Sequence, residues 1–385
     1  MRILILGGDG YLGWPTAMHF SSRGDEVAII DNFGKRQWEA DVGVMPLWPI
    51  TSMQQRLRAW EKVSGRKISF FAGDIASDNY FFLERVMKEF QPQAIVHYAE
   101  QPSAPFSMRS RRRGALTLHN NIIGTYNILC AMKEFQPQAH LVKLGTMGEY
   151  GTPNINITEG FIDITLDGRS DRLPFPKKAG SWYHWSKVAD SNHLMFASDV
   201  WGLATTDLNQ GVVYGIETDQ TILHSDLGTS FHYDSVFGTV LNRFCVETVC
   251  GIPLTVYGTG GQHRGFLNIR DTLKCVEIAV DNPATIGEFR VFNQFTEVFS
   301  VQELAELVQR TAQVHGINVD IQHLPNPRVE KEEHYYNPSN ASLLRLGLKP
   351  QLLSGELVES MLVKIMTAQE HIDSFTIQPN VQWRS

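Results

Sequence analysis

MRILILGGDGYLGWPTAMHFSSRGDEVAIIDN, residues 1–32, reads as a strand, a turn, a helix and a second strand. The apolar run Ile3 to Leu6 is a buried strand that passes directly into Gly7, Gly10 and Gly13, while Tyr11, Leu12 and Ala17 begin a helical apolar face. Gly7 allows the tight turn, Gly10 lets the backbone approach a pyrophosphate, and Gly13 lets helix and strand pack closely. The helix N-terminus then offers free N–H groups to phosphates. The second strand, Glu26 to Ile30, ends at Asp31, eighteen residues past Gly13, where an acceptor for ribose hydroxyls is needed. A free 2′-hydroxyl suits Asp31 and a 2′-phosphate does not, so the expected cofactor is NAD, with Lys35 and Arg36 as the groups that could reverse this.

Outward from this stretch, residues 32–67 look irregular, an insertion near the adenosine end of the cofactor, with a helix expected at Ser52 to Val63. A third strand, Ile68 to Phe71, leads to Asp74 and Ile75. The Asp74 carboxylate and the Ile75 N–H suit an adenine ring, and Asp74 equally suits a helix N-cap. The octapeptide MKEFQPQA occurs at Met87–Ala94 and again at Met132–Ala139. Each copy closes a helix, breaks it at proline and feeds an apolar strand, Ala94 to Ala99 and His140 to Gly145, so the pair marks two successive βα units of one parallel sheet. A helix from Ser181 to about Trp201 and a strand from Ala204 to Asn209 follow, then a helix near Phe237 to Cys250 and a strand at Phe289 to Asn293. The expected architecture is α/β, a doubly wound parallel Rossmann sheet with a smaller C-terminal substrate-binding lobe. Residues 1–214 form the NAD-binding domain with 266–293 returning to it; 215–265 and 294–385 form the lobe. Ligands of such sheets sit beyond the strands' carboxyl ends, so His97, Thr146 and Asn209 are expected to face one cleft.

Composition narrows the function. With 385 residues, 43% hydrophobic, 19% charged and net charge −7, the chain suits a globular enzyme and not a general nucleic-acid binder. Its one basic cluster, Arg109 to Arg113, reads as a solvated loop or helix start. Cys130, Cys245, Cys250 and Cys275 form no CxxC pair and have no His at metal-ligand spacing, so they read as buried thiols of a reducing compartment, with no metal. No apolar run is long enough to cross a membrane, and the first strand opens at Arg2; a cytoplasmic or processed organellar protein is expected.

Tyr183 and Lys187, four apart, lie on one helix face, where the cation lowers the phenol pKa and holds a nicotinamide ribose. Tyr183 can then take a proton from a sugar hydroxyl while hydride leaves the same carbon, and Thr146 supplies a hydroxyl that orients the substrate.

These motifs, with the GxxGxxG spacing, resemble the extended short-chain dehydrogenase/reductases that act on sugar nucleotides, the epimerase/dehydratase family. The resemblance runs through GGDGYLGW, the EQ and SAP of AEQPSAPFSM, HNNIIGT, KLGTMGEYGTPN, the YH and SK of SWYHWSK, DLNQGVVYG, LTVYGTGGQ, FRVFNQFTE and NPRVEKEEHYYN. It implies a tightly held NAD that is not consumed, UDP-glucose and sulfite as substrates and UDP-sulfoquinovose as product. Oxidation at C4 acidifies the C5 hydrogen, water leaves from C6, sulfite adds and the hydride returns. The resemblance assigns C4 to Thr146, Tyr183 and Lys187, and protonation of the departing C6 hydroxyl to His184. It places Gly7, Asp9, Gly10, Tyr11, Leu12, Gly13, Asp31, Asn32, Arg36, Asp74, Ile75, His97, Asn120, Tyr183, Lys187 and Gln210 at the cofactor. It places Gln101, Thr146, Tyr183, Asn209, Thr255, Tyr257, Gln262, Arg264, Arg328 and Tyr335 at the substrate, Arg264 and Arg328 holding its diphosphate.

Two rivals stand beside this reading. The 4,6-dehydratases of the fold carry an Asp-Glu pair directly after the strand-end Thr, where this chain has Met147 and Gly148; a 4-epimerase is the related alternative. A non-catalytic NAD-binding regulator would be expected to lose Tyr183, Lys187 or Thr146, all of which are present. One departure is clear: the arginine of the family's EQRSAP is Pro102, which offers neither charge nor N–H, so either a nearby residue such as Arg109, Arg111 or His97 replaces it, which is the expectation, or C4 oxidation and water loss persist with another nucleophile, or none, added at C6. Dimerisation is expected through the helices at Thr117 to Phe135 and Ser181 to Ala197.

Overall fold

Ile3 and Ile5 pack into the core on one face of the central sheet, Leu4 and Leu6 into the core on the other, as the two-residue period of a strand buried on both sides requires. The computed structural model describes residues 1–331, 334–379 and 383; Glu332 and Glu333 of the NPRVEKEEHYYN stretch lie outside them, as do residues 380–382, 384 and 385 of the tail. Seven strands form the sheet: β1 (Arg2–Leu6), β2 (Glu26–Asp31), β3 (Ile68–Ala72), β4 (Ala94–His97), β5 (His140–Thr146), β6 (Ala204–Gln210) and β7 (Phe289–Gln294). Their order is β7-β6-β5-β4-β1-β2-β3, and every pairing is parallel. The order in which strands are added reverses between β1 and β4, where a doubly wound sheet opens its crevice. Register aligns the strand ends there, with Leu6 beside Ile30 and His97, and Thr146 beside Gln210.

The two octapeptide copies close the helices Tyr80–Phe90 and Gly124–Phe135 and lead into β4 and β5. Identical sequence nevertheless ends differently: Gln91 is left-handed at φ 50°, whereas Gln136 sits at φ −142°. The Gln91 carbonyl is held by Arg2, a tertiary contact that the second copy lacks among the hydrogen bonds of the described residues.

Several expectations need correction. The stretch after Asp31 is not irregular throughout, because Gly34–Val42 is a helix; only Glu39 of it is buried, so it carries no apolar stripe to read. β4 stops at His97 rather than Ala99, and the helix expected from Phe237 begins at Val240. Cys245 and Cys275 are buried, but Cys130 and Cys250 are only partly so.

Beyond β6 the chain builds a second core around Leu241, Phe244, Val256, Leu304, Val308 and Leu362. A three-stranded sheet of Val212–Tyr214, His263–Asn268 and Glu297–Ser300, and a parallel pair of Leu254–Tyr257 with Ile321–Leu324, lie on this side. The exposed hairpin Phe161–Leu166 and Arg169–Pro174 projects between β5 and the helix Trp182–Trp201. No helix of the described residues is long and apolar enough to cross a membrane.

Candidate active site

One cleft of about 460 Å³ runs along the carboxyl ends of the strands, from Asp31 and Asp74 past Tyr183 to Arg264 and Arg328. At its first end the glycine turn is forced by packing. A side chain on Gly7, at φ +83°, would meet the Ala99 backbone nitrogen at 2.8 Å, and one on Gly13 would meet the Gly7 carbonyl oxygen at 2.0 Å. Gly10, Tyr11, Leu12, Asn32 and Ile75 line this end with them, a cradle suited to a dinucleotide's phosphates and adenosine.

Asp31 accepts the Asp9 and Phe33 backbone N–H groups at 2.8 and 2.7 Å, which fixes its carboxylate at the strand end. Burial pushes it up to about 6, leaving it ionised at neutral pH. The two cations that could welcome a 2′-phosphate are engaged. Arg36 donates to both Asp9 oxygens, at 2.6 and 2.8 Å, and Lys35 pairs with Glu39 and stands 2.8 Å from His232. Asp9 also carries the fully buried Arg56 at 2.9 Å, whose guanidinium lies 4.5 Å from the Trp14 ring centroid. Removing one partner of such a buried pair costs about 3–5 kcal/mol, so Asp9 and Arg56 hold the cradle together, and Asp9 does not face the cleft with free charge.

At mid-cleft, Ser181 caps the helix Trp182–Trp201, accepting the His184 N–H at 3.2 Å, and sets Tyr183 and Lys187 on one wall. Lys187 donates to the Leu144 carbonyl at 2.6 Å and pairs with Glu100; its Nζ is 5.8 Å from the Tyr183 ring centroid. The expected lowering of the phenol by Lys187, which pairs with Glu100, is not found: burial, and next the Glu100 charge, hold the Tyr183 phenol above its ordinary range, while Lys143 and the hydrogen bond to Thr146 oppose them. His184 lies beside Tyr183, its Nδ1 2.9 Å from the Ser181 hydroxyl. Burial, with Arg328 and Arg264 facing it, pushes its imidazole down to about 3. A Cβ on Gly148 would stand 2.4 Å from His184 Nε2. The ring therefore fills the space that a side chain two residues after Thr146 would occupy.

The far end holds three guanidiniums. Arg264 pairs with Glu330; Arg243, from the helix Val240–Cys250, donates to the Thr255 carbonyl at 2.9 Å and lies 4.8 Å from the Tyr257 ring centroid; Arg328 lies beside the Trp383 ring. Burial, with Arg264 and Arg243 nearby, holds the Arg328 guanidinium below its usual range against the opposing pull of Glu330 and Tyr257. A diphosphate would relieve that crowding.

Of the expected residues, Gly7, Asp9, Gly10, Tyr11, Leu12, Gly13, Asp31, Asn32, Asp74, Ile75, Asn120, Tyr183, His184, Lys187, Gln210, Tyr257, Gln262, Arg264 and Arg328 line the cleft. A single π turn at His119–Ile123 sits where Asn120 reaches the wall, while Asn121 accepts the Gln101 N–H. Others do not line it. His97 is fully buried against Thr125, and Asn209 is fully buried and donates to Tyr150, so these two strand ends do not face the cleft. Thr146 lies off the lining with its hydroxyl accepting the Gly148 N–H. Gln101 is buried against Ser103 and Thr117, Thr255 is held by Glu247, Arg36 by Asp9, and Tyr335 is on the surface beside Asn156. Asp74 accepts the Ala76 N–H at 2.8 Å in a turn, and the next helix begins only at Tyr80, so it is no helix cap. Pro102 does line the cleft, but Arg109, Arg111 and His97, expected to replace its charge, do not; Lys35 and His232 do. Sequence reasoning also missed Glu100 and Arg243, whose partners are distant in the chain and leave no local pattern.

A model of the NAD dependent epimerase/dehydratase family matches residues 3–293. The chain is 52% identical over 383 residues to the chloroplastic UDP-sulfoquinovose synthase of Spinacia oleracea, covering all of this chain and 79% of that protein. It is 42% identical over 387 residues to the UDP-sulfoquinovose synthase of Sulfolobus acidocaldarius, covering 100% and 98%. Among solved structures, the UDP-glucose 4-epimerase of Bifidobacterium longum with NAD+ and UDP matches with TM-score 0.70 at 18% identity, covering 96% of this chain and 98% of that one. That of Stenotrophomonas maltophila with bound NAD matches with TM-score 0.72 at 17% identity, again covering 96% and 98%.

Proposed function

We propose that this chain, which belongs to the NAD dependent epimerase/dehydratase family, converts UDP-glucose and sulfite into UDP-sulfoquinovose. The observation that carries the reading is that Tyr183, Lys187 and His184 stand on one wall between a dinucleotide cradle and three arginines. The cofactor is NAD, and the chemistry it supplies is acceptance of the C4 hydride and its later return.

Tyr183 takes the C4 hydroxyl proton, with Lys187 supplying positive charge and Thr146, off the cleft lining, acting through its hydrogen bond to the Tyr183 phenol. The resulting ketone makes the C5 hydrogen acidic. His184, neutral because burial holds its pKa near 3, is a base before it is an acid. Its Nε2 takes the C5 proton and passes it to the C6 oxygen, which leaves as water; the Ser181 hydroxyl at Nδ1 can donate or accept and so serves both forms. It occupies the space opened by Gly148, so the residue pair that a 4,6-dehydratase uses is replaced from another element. Sulfur then bonds to C6, bisulfite supplying the proton that C5 regains, so UDP-glucose and bisulfite give UDP-sulfoquinovose and water. For the anion, Lys35 and His232 line the cleft with Pro102 in place of the missing arginine, and since Glu39 already engages both, the anion takes its place beside them by displacing that carboxylate. Ser103 bonds the Val236 carbonyl, bringing the Pro102 loop against the loop that carries His232, and Lys35 lies 4.7 Å from the Phe237 ring centroid. Arg243, Arg264 and Arg328 hold the diphosphate.

Residues 1–214 with 266–293 serve the cofactor, and 215–265 with 294–385 the sugar nucleotide. A homodimer through the helices at 117–135 and 181–197 is supported by Tyr126, Trp182, Trp185 and Phe196, all exposed; a monomer mass by light scattering would exclude it. The reaction is tested by incubating the protein with UDP-glucose, with and without sulfite, and weighing the nucleotide sugar. A sulfonated product is expected. Accumulation of only the 5,6-ene or the 4-epimer at saturating sulfite would leave the dehydrogenase class and remove the sulfite step.

A further inference from the structure

Behind the catalytic wall lies a set of buried charges that the steps above do not use. Lys143, on β5, is fully buried, with its Nζ 3.5 Å from Asp207 and 3.9 Å from Glu149. It also donates to the Lys187 backbone carbonyl at 3.4 Å. Glu149 is fully buried too. It accepts the Thr146 backbone N–H at 3.3 Å and the Ser191 hydroxyl at 2.9 Å, and pairs with Lys177. A buried ion pair is weak support for stability, and an apolar side chain of similar volume often does as well. An ammonium inside a sheet strand that touches the backbone of one catalytic residue and the carboxylate capping another therefore points to a role in the chemistry.

We propose that Lys143 is a positioning residue for C4 oxidation: with Glu149 it fixes Thr146 and the Lys187 turn of the helix, and it sets a second positive charge behind Tyr183 against Glu100. The proposal rests on the C4-oxidation reading given above. Although burial opposes it, the facing Asp207 and Glu149 keep Lys143 protonated well above the ordinary lysine range. Asp190 and Glu100 also face it. His97 and His193, which feel its charge, are held down by burial and stay neutral. Tyr183 is faced by Glu100, Lys143 and Glu149, with Lys187 and His184 beside it. The charges of Lys143 and Glu149 act on its proton in opposite directions.

Lys143→Met keeps the length and removes the charge, and Glu149→Gln keeps the shape and removes the opposite charge. In the NAD-loaded full-length protein, reduction of NAD by UDP-glucose without sulfite is followed against pH. Lys143→Met is expected to raise the apparent pKa of this step by about 0.5 to 1 unit, a three- to tenfold slowing below that pKa, and Glu149→Gln to lower it. A structural role alone would change amplitude and melting temperature with the pKa unmoved, and that result overturns the proposal. If Lys143→Met does not fold, the sign of the Glu149→Gln shift decides. If the unaltered protein does not reduce NAD with UDP-glucose, the C4-oxidation reading fails by itself. The ultraviolet titration of Tyr183, taken as the difference made by Tyr183→Phe in each background, then decides: opposite shifts support Lys143 and Glu149 as a charge pair, and equal or absent shifts refute it.

Discussion

The two ends of the cleft are built differently. At the cofactor end the lining comes largely from one continuous stretch, Gly7 to Ile75, and its Asp31 carboxylate is held by two N–H groups. At the sugar-nucleotide end Arg243, Tyr257, Arg264 and Arg328 come from separate elements, and the protein already satisfies two of them, Arg264 by Glu330 and Arg243 by a carbonyl. The first end is preorganised and the second must exchange partners, so substitutions at the first should act on occupancy and chemistry, and those at the second on substrate affinity.

The largest effect is expected where the two ends meet. Tyr183→Phe keeps the ring and removes the proton acceptor, so bound NAD should survive while C4 oxidation falls by roughly a hundred- to ten-thousand-fold. Stopped-flow absorbance of the nicotinamide checks this, and turnover above half of the unaltered value would remove Tyr183 from the chemistry. Next in size is Gly148→Ala, which drives a methyl group into His184 Nε2 and should slow elimination by on the order of a hundredfold while C4 oxidation persists. The same ring gives a pH expectation. Its folded pKa of about 3 lies below the ordinary value near 6.5, so it stays a base on mild acidification. Hydrogen exchange at C5 in the 4-keto state should therefore lose no rate as pH falls through about 6.5; a His limb there would contradict the assignment. The smallest effect belongs to Glu330→Gln, which frees Arg264 for the diphosphate and should lower KM for UDP-glucose a few-fold with kcat unchanged. A raised KM would mean that Glu330 orients Arg264 rather than occupying it.

The same contrast explains what the sequence revealed. The glycine turn, Asp31 and the Tyr183/Lys187 pair were legible because each depends on neighbours within a strand, a turn or one helical turn. Glu100 and Arg243 were not, since their partners Lys187 and Thr255 meet them only through tertiary folding. Gly34–Val42 escaped notice because a helix with one buried residue has no periodic stripe. His97 and Asn209 were misplaced by treating every strand end as cleft wall, when buried polar groups also satisfy one another there, as His97 does with Thr125 and Asn209 with Tyr150.

The central claim is that the C4 hydrogen is stored on the enzyme and returned to the same carbon. UDP-[4-²H]glucose, given with sulfite to the NAD-loaded protein and no added NAD, tests it by mass and NMR of the product. Deuterium retained at C4 of the sulfonated sugar through many turnovers is the expected result; its loss from C4, or turnover that stops without added NAD, would contradict the account.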